Sequence, residues 1–400
     1  MRSFPLYIVV VLLAFSSCGK EEALTFEKPD TYTFERSSSS SVDFNGQTTR
    51  IRMAEELSSA LLNPQNTGES LLSMYDNSGN NAFNDPALNA SSKSIKSKVA
   101  ASRDYFSGNS VLSFEIKAEL ENWLNLQASE VFPSWNQMAS PGVAGQLADG
   151  ASVRYVSADG LEYNQAFAKS LIGALMLDQM LNNYLSPAVL DEGNNRVDND
   201  NALVLEGTNH TTMEHKWDEA FGYLFGNTPD VSQALLTLGQ DDSFLNKYLA
   251  RVEGDPDFEG IAFDVYDAFI AGRTAIVNSD YDSRDEYADI IKEKMSEVIA
   301  VRAVHYLEQA YFLLEVESTS MGTIFHDLSE AYGFIYSLQF TQNPATGQAY
   351  FSSSEVSSFL DELMNDGPHG LWDVQAETVS GLASTIASRF GFTVEQAADR

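Results

Sequence analysis

The sequence is poor in cysteine and in basic side chains, and each shortage excludes a class of site. Cys18 is the single cysteine among 400 residues, so we expect neither an internal disulfide nor a metal site built from thiolates. Any metal would have to bind to His and carboxylate side chains. Lys and Arg number 24 against 57 Asp and Glu, a formal net charge of −33 at pH 7. Because phosphate backbones bind to Lys and Arg, we predict no nucleic-acid partner.

Long apolar runs are also scarce, and the clearest one lies at the start of the chain. Residues 6–15 form an apolar run that is shorter than the 20 or so residues of a transmembrane helix but typical of a secretion signal. Arg2 precedes it, and the small residues Ser16 and Ser17 lead directly to Cys18. We therefore predict a signal peptide over 1–17 and lipidation of Cys18, which resembles a bacterial lipobox cysteine. The alternative is an ordinary signal peptide with an unmodified cysteine.

These features predict an outer-membrane lipoprotein on the cell surface or the periplasmic face. The residues after Cys18, 19–22, resemble the acidic export tag of surface lipoproteins, although a solvated linker has the same composition. No second apolar stretch approaches the length of a membrane span, so the lipid is the expected membrane contact.

The rest of the chain has a helical pattern of apolar residues. We interpret 18–50 as a lipidated flexible tether, 51–230 as a first helical half and 231–400 as a second. The fold class predicted is all-α, with two pseudo-repeated bundles of four-helix type and a short β-hairpin at 152–162. Helices are predicted at 51–62, 90–103, 110–131, 163–186, 211–225, 258–277, 283–317, 322–340, 354–364 and 375–390.

Two short segments resemble each other and supply the candidate site. Residues 215–224 and 326–335 both read His-x-x-x-Glu-Ala-aromatic-Gly-aromatic-aliphatic, although the chain has only five histidines. On a helix, the His, Glu and Gly of each segment share one face and the aromatic residues the opposite one. A repeated glycine inside a helix indicates close approach of another backbone, or room for a ligand.

If the halves are related by a twofold pseudosymmetry, the two polar faces could meet between them. His215, Glu219, His326 and Glu330 would then be the ligands of iron, zinc or another first-row metal. The same set would also suit a pH-sensitive contact. The alternative is that each His pairs locally with its Glu at a helix interface.

Several segments resemble the Bacteroidota lipoproteins grouped as domain of unknown function 4856, over nearly the whole chain after the signal. The segments that carry this resemblance are 211–223, 44–50, 160–165, 169–174 and 326–333. The group is in turn distantly similar to imelysin-like proteins, which have two helical bundles and are linked to iron uptake. Their motif is Gly-x-His-x-x-Glu. Here His215 and Glu219 are four residues apart, and Met213 stands in place of the Gly.

The resemblance implies an envelope lipoprotein that binds iron, another metal or a metal complex at an interface of the helical bundle. One alternative is an adaptor lipoprotein that binds another envelope protein and no metal. The other is an imelysin-like metallopeptidase, with Glu219 activating a metal-bound water. The sequence contains neither a His-Glu-x-x-His pair nor a Gly-x-Ser-x-Gly elbow, so we do not expect an enzyme.

Overall fold

The computed structural model describes residues 26–79, 82–316 and 318–398. The predicted signal peptide and Cys18 lie outside these residues. Helices account for 62% of the structure, and the strands form two small hairpins, which confirms the predicted predominance of α-helix.

The α-helices vary from one turn to almost ten turns. In chain order they are α1 (Asn45–Ala60), α2 (Gly68–Asp76), α3 (Pro86–Asn89), α4 (Arg103–Phe106), α5 (Ser110–Leu126), α6 (Tyr163–Leu171), α7 (Pro187–Leu190), α8 (Asn195–Asp200), α9 (Thr212–Phe225), α10 (Leu245–Glu253), α11 (Ile261–Val277), α12 (Tyr281–Glu315), α13 (Met321–Ser337), α14 (Ser353–Met364), α15 (Ala376–Phe390) and α16 (Val394–Ala398).

A central helix holds the two candidate segments in place. Helix α6 continues through the π-helical turns Ile172–Leu177 and Met180–Tyr184, so that 163–184 runs as one helix. All of its residues except Gln165 and Asn183 are buried, as expected of a helix that is covered on every side. Its first part packs against α13, and its last part packs against α9.

The two hairpins are short. Strands β1 (Glu35–Arg36) and β2 (Ser39–Ser40) pair antiparallel, as do β3 (Gly145–Asp149) and β4 (Ser152–Val156). The sequence predicts a hairpin at 152–162 with its turn at Asp159-Gly160. In the structure β4 is the second strand, and the turn is at Gly150, which has a φ of +58°. The predicted turn position is wrong because Asp149-Gly150 and Asp159-Gly160 are the same dipeptide, and either one could form the turn of a hairpin.

Most of the long predicted helices are present, including the longest, α12, which buries apolar side chains from Ala288 to Ala310. The predicted helix at 90–103 is wrong, since this stretch holds a 3₁₀ turn at Lys96–Lys98 and then the start of α4. The predicted tether is wrong for residues 26–50. Helix α1 begins at Asn45, and the side chains of Tyr32 and Phe34 are buried.

One continuous cluster of buried apolar side chains includes residues from Tyr32 to Ala397 and so joins both predicted halves. The division of the chain at residue 230 and the duplication of whole bundles stay predictions. None of the described helices is long and apolar enough to cross a membrane.

Candidate functional site

Helix α9 carries the first candidate segment, and its start is fixed by a capping box. The Thr211 backbone N–H donates to Glu214 Oε2 at 2.7 Å, and the Glu214 N–H donates to Thr211 Oγ1 at 3.3 Å. This exchange satisfies two backbone donors at the helix start. The other side of the helix, with Trp217 and Phe221, is fully buried, as its periodicity predicts.

A buried guanidinium joins α9 to α11. Arg273 is fully buried and forms ion pairs with Glu214 at 3.0 Å and with Asp218 at 3.1 Å. The helices approach closely at the preceding residue, Gly272, where an added Cβ would lie 2.1 Å from the ring of Trp217. Glycine at this position therefore lets the guanidinium reach both carboxylates.

The N-terminal segment completes this buried network. Arg36 donates to both oxygens of Glu214 at 2.8 Å, and the Tyr32 hydroxyl donates to Asp218 at 2.6 Å. Burial alone would raise the pKa of Glu214, but the guanidiniums of Arg273 and Arg36 outweigh it and lower that pKa to about 2. Glu214 is therefore ionised at neutral pH, and the segment is held by charge-assisted hydrogen bonds.

The same network places Asp43 beside the first candidate histidine. The Asp43 backbone N–H donates to Asp218 Oδ2 at 3.2 Å, and the Asp43 carbonyl oxygen lies 3.0 Å from His215 Nδ1. A carbonyl oxygen can only accept, so Nδ1 of His215 carries the proton when this bond forms. In the neutral ring, Nε2 then has the free lone pair that a metal ion requires.

A second histidine stands next to His215. The rings of His210 and His215 stack, with centroids 4.6 Å apart and an angle of 18° between the ring planes. His210 Nδ1 faces the Thr211 carbonyl oxygen at 3.3 Å, so its Nε2 is also the atom left with a lone pair. Burial and the nearby His215 lower the pKa of His210, which favours the neutral ring at pH 7.

Asp43, His210 and His215 together form a candidate metal centre. One ligand atom from each lies within 4.8 Å of the others. His210 Nε2 lies 4.0 Å from Asp43 Oδ2, a gap that two metal–ligand bonds of about 2.0–2.2 Å would span. The Asp43 side chain is 38% exposed and that of His215 is 25% exposed, so the cluster is open to solvent on one side.

Glu219, a predicted ligand, already has a cationic partner. Its carboxylate lies 2.7 Å from Lys216 Nζ and accepts from Gln47 Nε2 at 3.0 Å, whereas His215 Nε2 is 3.9 Å away. Burial alone would raise the pKa of Glu219, but Lys216 and His215 outweigh it and lower that pKa. This carboxylate is therefore neutralised by lysine and is a weaker candidate ligand than Asp43.

The second predicted pair has a different environment. His326 Nδ1 lies 3.3 Å from a carboxylate oxygen of Glu162, and His326 Nε2 lies 3.9 Å from Glu330. Glu330 in turn pairs with Lys169 at 3.2 Å. Burial lowers the pKa of His326, but the two carboxylates outweigh it and raise that pKa above its usual value. This arrangement favours a charged imidazolium in an ion pair over a metal ligand.

The two pairs are held at different points of the central helix. Glu330 pairs with Lys169 near its start, while Gln47 connects Glu219 to Tyr184, fifteen residues further along. At 1.5 Å per residue these points are about 20 Å apart. His215, Glu219, His326 and Glu330 therefore do not converge on one ion, contrary to the prediction of a shared site.

The glycines of both segments allow close helix contacts, as predicted. A Cβ at Gly222 would lie 2.4 Å from Phe44 Cβ, and a Cβ at Gly333 would lie 2.4 Å from Lys169 Cβ and 3.0 Å from the Ala166 carbonyl oxygen.

The sequence analysis does not identify Asp43 and His210 as candidate ligands. For His210 the sequence offers one signal: it is one of only five histidines, and it precedes His215 by five residues.

The fold and the site define a predominantly α-helical protein with a His–His–Asp cluster at the junction of its N-terminal segment and α9. The chain belongs to the family described as Domain of unknown function (DUF4856), whose pattern matches residues 29–393. No curated protein and no solved structure matches the chain. The similarity to imelysin-like proteins stays a prediction.

The His326 ion pairs predict a pH-dependent stability. A histidine whose pKa is raised on folding stabilises the fold fully below its unfolded pKa of about 6.5 and loses this effect as the pH rises through the folded value. We expect His326→Gln to lower the free energy of unfolding by about 1–3 kcal/mol at pH 6, and by less at pH 9. Urea denaturation across this range measures the difference. A difference that is constant or larger at pH 9 would contradict the assignment.

Proposed function

We propose that this protein is a cell-envelope lipoprotein that binds a divalent first-row metal ion, such as iron(II) or zinc, at Asp43, His210 and His215. The observation that carries the proposal is the convergence of three potential ligand atoms within 4.8 Å. Two imidazoles and one carboxylate are a donor set found in iron(II) and zinc sites. In both histidines the second ring nitrogen faces a backbone carbonyl oxygen, the arrangement that orients metal-binding imidazoles.

The charge of the chain supports this proposal. A formal net charge of −33 attracts cations from solution, and the partly exposed Asp43 gives them a route to the cluster. We propose binding rather than catalysis, because the sequence contains no recognised nucleophile motif or peptidase motif that could act with the cluster. This site takes the place of the shared four-ligand site, and of the four predicted ligands it retains His215.

Metal binding by the purified full-length protein tests the proposal. After removal of bound metal with a chelator, we expect about one Zn²⁺ per chain by titration calorimetry and elemental analysis. We expect His210→Ala and His215→Ala each to weaken binding more than tenfold, because each removes one of three ligands. His326→Ala is the matched control and should bind Zn²⁺ as the wild type does. Because the lowered pKa keeps His210 neutral at pH 7, affinity should be retained at neutral pH and fall on acidification, when protons compete with the metal for the imidazoles.

Two results would contradict this site. One is equal Zn²⁺ binding by the wild type and His210→Ala, with circular dichroism showing that both are folded. The other is loss of binding in His326→Ala alone. If neither the wild type nor any variant binds metal, an adaptor that binds another envelope protein becomes the better proposal.

The envelope location has a separate test, because it rests on residues 1–18 and not on the metal site. Cells that express the full chain and are fed a radiolabelled fatty acid should label the wild type and not Cys18→Ser, and the variant should no longer fractionate with outer membranes. Ser is the matched replacement, since it differs from Cys by the one atom that accepts the lipid. Equal labelling of both chains would contradict lipidation at Cys18.

A further inference from the structure

A cavity beside α9, lined in part by Lys216, has the chemistry of an anion site. Its volume is about 490 Å³, within the usual range of small-molecule sites. It lies between the end of the central helix, α9 and the region from residue 98 to the start of α5. Its lining includes the basic residues Lys98, Arg103 and Lys216 and the apolar or aromatic residues Phe106, Tyr184 and Val189.

Positive charge is concentrated in this cavity, although the protein is strongly acidic. Three of the 24 basic residues of the chain line it, whereas its acidic lining residue is Glu192, which lies 3.3 Å from Arg103. The ammonium groups of Lys98 and Lys216 lie 5.4 and 5.5 Å from the centre of the Tyr184 ring. The Glu219 carboxylate lies 2.7 Å from Lys216, and its single negative charge can balance only one of these two ammonium groups.

Lys98 differs from Lys216 in lacking a carboxylate partner. Lys216 is paired with Glu219 at 2.7 Å, whereas no described carboxylate forms an ion pair with Lys98. Burial lowers the pKa of Lys98, and the charges of Arg50 and Lys216 lower it further, against the opposing effect of Glu219. A bound anion would supply the missing counter-charge at this half-buried ammonium.

The cavity also offers hydrogen-bonding and apolar groups. Ser110 lines it and begins α5, a helix of 17 residues, so the positive end of the helix dipole adds to the lysine charges. The apolar side chains of Phe106 and Val189 and the ring of Tyr184 lie on the other walls. This combination suits a charged group attached to an apolar body.

We propose that this cavity binds a small organic anion whose carboxylate or phosphate group is held by Lys98 and Lys216. The body of the ligand contacts Tyr184, Phe106 and Val189. The residues of this site differ from Asp43, His210 and His215, although Glu219 lies between the two sites, 2.7 Å from Lys216 and 3.9 Å from His215 Nε2.

The arrangement of lysines around Tyr248 provides a matched control. The ammonium groups of Lys169 and Lys247 lie 5.2 and 5.4 Å from the centre of the Tyr248 ring, much as Lys98 and Lys216 lie over Tyr184. Burial lowers the pKa of Lys247 as well. Lys247 is not among the residues that line the cavity. Replacing it with Gln therefore removes one lysine charge, as Lys98→Gln does, without altering the proposed site.

The test uses the full-length protein at constant ionic strength, with benzoate and inorganic phosphate as probes. Binding is measured by titration calorimetry and by protection of Lys98 from acetylation, which mass spectrometry reads at that residue. We expect Lys98→Gln to weaken binding of whichever probe binds by at least fivefold. Lys98→Arg, which keeps the charge, and Lys247→Gln should bind within twofold of the wild type.

Each outcome decides a part of the proposal. Protection by benzoate that phosphate does not displace assigns the site to carboxylates, and displacement by phosphate assigns it to anions of both kinds. Failure of both probes to bind or protect Lys98 would overturn the proposal. An equal loss of binding in Lys98→Gln and Lys247→Gln would also overturn it, because the effect would then come from net charge alone.

Discussion

The buried ion pairs of Arg273 are the interaction on which the arrangement of the candidate metal centre depends. A guanidinium without exposure to water is tolerated only when carboxylates and hydrogen bonds compensate its lost hydration. Glu214 and Asp218 supply two carboxylates to Arg273. Arg36 pairs with Glu214, so that the network contains two guanidiniums and two carboxylates. Removing Arg273 would leave the buried Asp218 carboxylate without its cationic partner, and breaking a buried ion pair in this way typically costs about 3–5 kcal/mol.

This constraint links parts of the chain that are distant in sequence. Tyr32 and Asp43 bind to the two oxygens of Asp218, so the N-terminal segment lies along α9 in one register. Tyr32 also stacks on Phe221 with ring centroids 3.7 Å apart, which adds apolar contact to the polar attachment. The backbone of Asp43 then orients His215, while its carboxylate faces His210. The candidate ligands therefore converge because of a buried structural network.

The sequence predicted what depends on local periodicity. The bounds of α9 and α13, the burial of Trp217 and the close contacts at Gly222 and Gly333 all follow from helical spacing. Asp43 could not be predicted, because its place beside His215 depends on the Arg273 network and not on any local pattern. The environments of His215 and His326 also could not be distinguished from the repeat. One Nδ1 faces a carbonyl oxygen and the other a carboxylate, and both partners come from distant segments.

The central claim is that Asp43, His210 and His215 jointly bind one metal ion. Anomalous diffraction from crystals of the protein grown with Zn²⁺, recorded on both sides of the zinc absorption edge, tests this claim most directly. We expect an anomalous peak about 2 Å from His210 Nε2, His215 Nε2 and an Asp43 oxygen. A peak between His326, Glu162 and Glu330, with none at Asp43, would contradict it.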